Sequence, residues 1–263
     1  MEIFIFSCLL IGAFGGLCVG LLGIGSGVII VPALSTLLAM MAVPLDQRLP
    51  VAIATSLATM IITTGVSSIK QLRKKNVRLD MLKFLFPTII LGAIFGVMIM
   101  ESITTTWLKG FFAVILFLLA LNLLYDRLPR WHHLQRQPWL LSFAGGIVAS
   151  LSTLLGLGGG VFFIPLFRAA NIPIKSAIGT SNVCAFLVAI TGTISYVMNA
   201  QASPFYGMHW YTGYIYWPAV IGIAVTSIPF ALLGVHLMHR AENLHLQRGF
   251  AVLLMCVAVF MIF

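Results

Sequence analysis

Ten apolar stretches follow one another along the chain, at roughly 3–22, 27–43, 49–69, 82–100, 106–125, 139–156, 161–170, 176–198, 213–238 and 247–263. A helix needs about 20 apolar residues to cross the hydrocarbon layer of a bilayer. Only 8% of the residues are charged and 60% are hydrophobic, whereas an ordinary soluble domain carries about 25% charged residues. One soluble core cannot hide so much apolar surface in 263 residues. The pattern predicts an all-α polytopic membrane protein with about 8–10 membrane segments.

Two regions depart from ordinary full spans. The run 161–170 has ten residues, about 15 Å of helix, which is half a hydrocarbon layer. The runs on either side of Gly23–Gly27 have the form of a hairpin broken inside the bilayer. The first run lacks a basic flank and exceeds the length of a typical signal-peptide core, so it is expected to be a retained segment.

The net charge of +9 is not read as a nucleic-acid surface. The basic residues sit in short gaps between apolar runs, where they set topology and meet anionic membrane lipids. Lys70, Arg73, Lys74, Lys75, Arg78 and Lys83, opposed by Asp80 alone, place the loop after the third segment in the cytoplasm. Alternation then puts Glu101 outside and the stretch with Arg127, Arg130, His132, His133 and Arg136 inside. Asn199–Tyr211 falls outside, and His239, Arg240 and Arg248 inside. Both termini are expected outside, in a bacterial inner membrane. Cys8, Cys18, Cys184 and Cys256 lie in apolar runs with no CxxC spacing, so core packing is expected rather than a disulfide or a zinc site.

The sequence repeats itself. "GLLGIGSGVIIVPAL" from Gly20 matches "TLLGLGGGVFFIPLF" from Thr153, with Gly23, Gly25, Gly27 and Pro32 aligned to Gly156, Gly158, Gly160 and Pro165. Further on, Ala54-Thr55-Ser56 matches Gly179-Thr180-Ser181, and "LKGFFAVILF" resembles "QRGFAVLLMC". Each half holds five segments, an odd number, so the halves enter the membrane in opposite senses as an inverted-topology repeat. This divides the chain into an N-terminal repeat at 1–126, a basic cytoplasmic linker at 127–138 and a C-terminal repeat at 139–263. The first half has eight more residues between its motifs than the second, and these are expected to lengthen the loop around 40–50.

A dinucleotide fingerprint needs a strand before its glycines and a βαβ unit around them, and membrane spans supply neither. Close helix packing is the plainer alternative, since small residues let backbones approach in lipid. Glycines that permit non-helical backbone, followed by a fixed proline in each half, point further, to broken helices. A break exposes backbone N–H groups and the positive end of a half-helix, which attract an anion without a buried lysine. The expected binding residues are Gly23, Gly25, Ser26, Gly27 and Pro32 with Gly156, Gly158, Gly159, Gly160 and Pro165, joined by Thr55, Ser56, Thr180, Ser181 and Asn182 as hydroxyl and amide donors. Thr63, Thr64, Thr191 and Thr193 are secondary candidates for a path, and His236 for proton coupling. His209, Trp210, Tyr211, Tyr214, Tyr216 and Trp217 read as an interfacial aromatic belt. No metal ligands, catalytic group or cofactor motif is legible.

The paired motifs "GLLGIGSG…VPAL…ATS" and "LLGLGGG…IPLF…GTS" resemble those of the TauE/SafE family, also called the four-toluene-sulfonate-uptake permease family, over essentially the whole chain. Ser26 departs from the resemblance, because the second copy has Gly159 there and the family commonly has glycine. The resemblance implies a permease for sulfite, sulfonates or other small organic oxyanions. The expected function is secondary transport by alternating access, with a proton or sodium as coupling ion and homo-oligomer formation open. An anion channel, or a non-transporting membrane enzyme or assembly factor, is the alternative.

Overall fold

The structure is a computed structural model that describes residues 2–23, 25–102, 105–125, 137–199 and 209–240, with 249, 251–252 and 254–259. Residues 127–136 of the basic linker expected at 127–138, most of Asn199–Tyr211, and Arg248 lie outside the described residues. The helices are α1 (Glu2–Leu22), α2 (Gly27–Met40), α3 (Leu45–Arg73), α4 (Leu79–Ser102), α5 (Thr105–Tyr125), α6 (Pro138–Leu154), α7 (Gly160–Ala169), α8 (Ile174–Met198) and α9 (Trp217–Arg240). Residues 251–252 and 254–259 are helical as well.

Five of these helices, α1, α3, α4, α8 and α9, are long and apolar enough to cross a membrane. The chain is a multi-pass membrane protein. α2 and α7 have 14 and 10 residues, about 21 and 15 Å of helix, too short to cross about 30 Å of hydrocarbon alone. α3 and α8 are the most enclosed of the long helices, while α1, α4 and α9 turn Phe6, Phe14, Leu91, Phe95, Ile221 and Val225 outward. In lipid an outward apolar side chain costs nothing, so the polar residues gather at the centre.

Packing between helices relies on small residues. α1 lies along α9 and α4 along α6. A Cβ on Gly12, Gly16 or Gly20 of α1 would collide with the carbonyls of Ile223, Ser227 and Ala231 of α9, and one on Gly92 of α4 with Gly146 O of α6. Where no hydrophobic effect drives helices together, this backbone approach supplies the van der Waals contact that does.

α3 and α8 cross at the centre. Asn182 faces Ser67, with Nδ2 donating to Oγ at 3.0 Å, and Leu57 lies against Gly192. Position numbers rise along one helix as they fall along the other, so the two run antiparallel. α9 also packs on α3 and α4 on α8, and each short helix lies against the long one that follows it, α2 on α3 and α7 on α8.

Two expectations are corrected here. The eight extra residues of the first half do not form a longer loop. The connections are equal, Met41–Pro44 and Ala170–Pro173, and both turn through a positive-φ residue, Ala42 at 60° and Asn171 at 59°. Val43 N donates to Leu38 O and Ile172 N to Phe167 O in the same terminating pattern. The surplus is instead about one helical turn on α2 and about one at the start of α3, because a whole turn keeps the apolar face in register. The ninth apolar stretch also begins later than 213. Tyr211–Thr212 and Ile215–Tyr216 form a small antiparallel hairpin, its bend permitted by Gly213 at φ 62°, and α9 starts at Trp217.

Candidate functional site

α1 ends at Leu22 and α2 begins at Gly27; α6 ends at Leu154 and α7 begins at Gly160, so each Gly-rich motif falls at an interruption between two helices. Gly23 and Gly25 have φ of 70° and 77°; Gly156, Gly158 and Gly159 have φ of 67°, 68° and 85°. These left-handed values are costly for a side chain, and glycine takes them freely. Ser26 differs from its counterpart Gly159. It holds φ −73° as the residue before α2, so a side chain is allowed there.

The two interruptions meet backbone to backbone. A Cβ on Gly27 would strike Gly156 O, and one on Gly25 would lie 2.5 Å from Leu157 O. Each interruption also lies against one of the two enclosed long helices. A Cβ on Gly23 would come within 3.0 Å of Ile178 O on α8, and one on Gly156 within 3.0 Å of Ile53 Cα on α3. Ile53 and Ile178 each stand directly before a repeated tripeptide, Ala54-Thr55-Ser56 and Gly179-Thr180-Ser181.

The hydroxyls follow the same exchange. Ser56 Oγ donates to Gly156 O at 3.1 Å, and Ser181 Oγ to Gly23 O at 3.1 Å. Thr55 Oγ1 accepts from Tyr216 N–H and Thr180 Oγ1 from Arg78 N–H, both at 3.0 Å. Tyr216 and Arg78 each stand immediately before one of the long outer helices. Thr180 Oγ1 donates in turn to Ser176 O. In this structure these three hydroxyls therefore spend their protons on protein carbonyls: Thr180 within its own helix, Ser56 on the segment after α6, and Ser181 shared between Gly23 O and the carbonyl of Ile178 at 2.9 Å.

Every expected binding residue is buried: Gly23, Gly25, Ser26, Gly27, Pro32, Thr55, Ser56, Gly156, Gly158, Gly159, Gly160, Pro165, Thr180, Ser181 and Asn182. Pro32 and Pro165 lie inside α2 and α7, away from their N-termini, and each removes one intrahelical hydrogen bond. Two polar atoms at the centre lack a partner among the described residues, Ser26 Oγ and Asn182 Oδ1. Buried polar groups are nearly always satisfied, so such orphans mark places where water or a ligand is accommodated. Ser68 Oγ and Thr193 Oγ1 are orphans too. Thr63 and Thr64 bond back to Thr59 O and Met60 O, Thr191 is half-buried, and His236 faces outward from α9.

The sequence did not single out Met60. Its Cε stands 2.8 Å from where a Gly25 Cβ would be and collides with one on Gly158. Ser67, Ser68 and Gln71, all buried on α3, were passed over as well. Four-residue spacing sets them in two adjacent rows of α3, Ser56, Met60, Thr64 and Ser68 in one and Thr59, Thr63, Ser67 and Gln71 in the other. The aromatic cluster is part of the fold: the Tyr211 and Tyr216 rings lie 4.8 Å apart at a 30° tilt, and Phe4 meets Tyr216 edge-on at 5.9 Å. Among the described residues no group of three His, Cys, Asp or Glu is placed to hold a metal, and the four cysteines are free.

A family model described as "Sulfite exporter TauE/SafE" matches residues 8–261. The chain is 36% identical over 263 residues to a "Probable membrane transporter protein" of Haemophilus influenzae, covering 98% of each. It is 26% identical to one from Methanocaldococcus jannaschii, over 97% of this chain and 94% of that protein. A third, from Bacillus subtilis, is 24% identical over 75% of this chain and 80% of its own length. No solved structure matches the chain significantly.

Proposed function

The chain belongs to the TauE/SafE family of membrane transporters, and from that premise we propose that it carries sulfite, a sulfonate or a related small oxyanion through the junction of its two Gly-rich interruptions. The protein is a transporter of small anions and not an enzyme. The nature of the anion, the alternating-access mechanism and the site residues are our reading.

One observation carries the proposal: two glycine-built breaks touch in a buried centre that also holds the orphan hydroxyl of Ser26. At each break a short helix begins, α2 at Gly27 and α7 at Gly160, and the first turn of any helix leaves N–H groups without intrahelical acceptors. Aligned peptide dipoles add a partial positive charge there. An oxyanion is held by such groups through neutral donors, which a low-dielectric interior tolerates better than a buried cation. The Gly-rich amides and Ser26 are the proposed contacts. The Thr55–Ser56 and Thr180–Ser181 pairs bound the site and hold its two sides in register, and Asn182 supplies a polar wall on α8.

Alternating access is supported by the exchanged contacts and by the antiparallel course of α3 and α8, which fit two inverted repeats, 1–126 and 139–263. Halves of that kind rock about a shared central site while their own packing stays intact. The basic loop after α3 faces the cytoplasm in this reading, both termini face outward, and the Lys and Arg side chains meet anionic lipid. A proton or sodium ion is the proposed coupling partner, and a homo-oligomer is compatible with the apolar outer faces. The test is flux in proteoliposomes with sulfite, methanesulfonate and small carboxylates, varying pH and sodium. Saturable oxyanion flux supports the carrier, and flux that never saturates selects a channel instead.

A further inference from the structure

Along α3, Ser56, Thr64 and Ser68 share one face at four-residue spacing, and all are buried. Met60 interrupts this hydroxyl row and is itself 0% exposed. Its Sδ lies 3.7 Å from Ser56 Oγ. Its methyl fills the gap between Gly25 and Gly158, the equivalent left-handed glycines of the two interruptions. The matching position of the second half, four residues after Ser181, is Ala185. One half thus sends a long flexible side chain into the meeting point, and the other keeps a methyl at the equivalent place. Methionine is unbranched and turns about three side-chain bonds, so it vacates space more readily than a β-branched or aromatic residue.

We propose that Met60 is the side-chain gate of the central site: its thioether occupies the space that the non-oxyanion end of the substrate must enter, and so limits the size of anion that passes. The proposal rests on the transport reading above and narrows it. The amides and Ser26 take the oxyanion head, while Met60 presents an apolar, polarisable wall to whatever the head carries. An anion small enough to sit beside the retracted thioether passes, and a bulky sulfonate is refused for lack of room. The gate belongs to one half only, so the two halves contribute unequally to selectivity.

The test compares wild type, Met60→Leu and Met60→Ala in proteoliposomes with methanesulfonate and benzenesulfonate. Met60→Ala is expected to raise the benzenesulfonate-to-methanesulfonate flux ratio about ten-fold or more, the scale on which methylene-sized space discriminates between substrates. Met60→Leu, of similar volume, keeps the wild-type ratio and shows that the position tolerates replacement. An unchanged ratio in Met60→Ala protein that elutes as wild type overturns the gate. If wild type carries neither these sulfonates nor sulfite, the transport reading fails on its own, and the gate is tested by labelling. Met60→Cys, in a chain whose native cysteines are replaced by serine or alanine, is treated with an anionic methanethiosulfonate reagent. Labelling of the detergent-solubilised protein shows that water and anions reach this point from the solvent. No labelling, where an exposed Lys74→Cys control reacts, overturns the gate independently of flux.

Discussion

Gly23 accepts a hydrogen bond from Ser181 at 3.1 Å, across 158 positions of sequence. The mirror of that bond, Ser56 to Gly156, spans 100 positions at the same length. α8 therefore holds the segment after α1, and α3 the segment after α6. Removing one hydroxyl leaves a buried carbonyl to find another donor, which costs about 1–3 kcal/mol. Ser56→Ala and Ser181→Ala are each expected to lower the thermal midpoint in detergent. Because the two loops held by these bonds lie against each other, the double variant is expected to depart from the sum of the singles. Simple additivity would show that the loops are held independently.

Thr55 and Thr180 accept backbone N–H groups of Tyr216 and Arg78. Valine matches threonine in shape but cannot accept. Thr55→Val and Thr180→Val are expected to destabilise by about 1–3 kcal/mol through the orphaned donors, with Thr180→Ser close to wild type. Thermal denaturation followed by circular dichroism reads this directly, and equal midpoints for valine and serine variants would remove the assigned role.

The glycines separate by what surrounds them. A Cβ at Gly27 meets the fixed carbonyl of Gly156, whereas one at Gly158 meets only the mobile end of Met60. Gly27→Ala is expected to disrupt assembly, since overpacking against backbone costs about 1–3 kcal/mol or more. Gly158→Ala carries mainly the left-handed strain, about 1–2 kcal/mol, and is partly relieved by Met60→Ala in the same chain. Expression level and monodispersity by size exclusion distinguish the two, and a Gly27→Ala protein as stable as wild type would deny the close approach.

The orientation makes its own prediction. Lys74, exposed after α3, and Met198, exposed at the end of α8, are expected on opposite sides, cytoplasmic and external. Cysteines placed there are probed with a membrane-impermeant maleimide on intact cells. Met198→Cys should react from outside and Lys74→Cys only after lysis, and the reverse pattern would invert the topology.

Much of this was visible in the residues, and the misses have physical causes. Apolar length marked α1, α3, α4, α8 and α9, and the ten-residue run from Val161 foretold the shortness of α7. Non-helical backbone at Gly23, Gly25, Gly156 and Gly158 was legible because few other residues accept their positive φ. The partners of Thr55 and Thr180 were hidden, since a hydroxyl's bond to Tyr216 or Arg78 depends on tertiary contacts across the chain. The extra turns of α2 and α3 were mistaken for a loop because an insertion shows its length in sequence and not its conformation. Met60 was overlooked for a related reason: an apolar residue in an apolar span carries no mark until its neighbours are known.

Flux through variants at the junction tests transport there most directly. Wild type, Gly25→Leu and Gly110→Leu are reconstituted side by side, Gly110 being a position where an added Cβ meets nothing within 4 Å. Transport through the junction predicts saturable oxyanion flux in wild type and Gly110→Leu, and none in correctly inserted Gly25→Leu. Undiminished flux in Gly25→Leu would contradict it, because the anion would then cross somewhere other than where the two glycine-rich breaks meet.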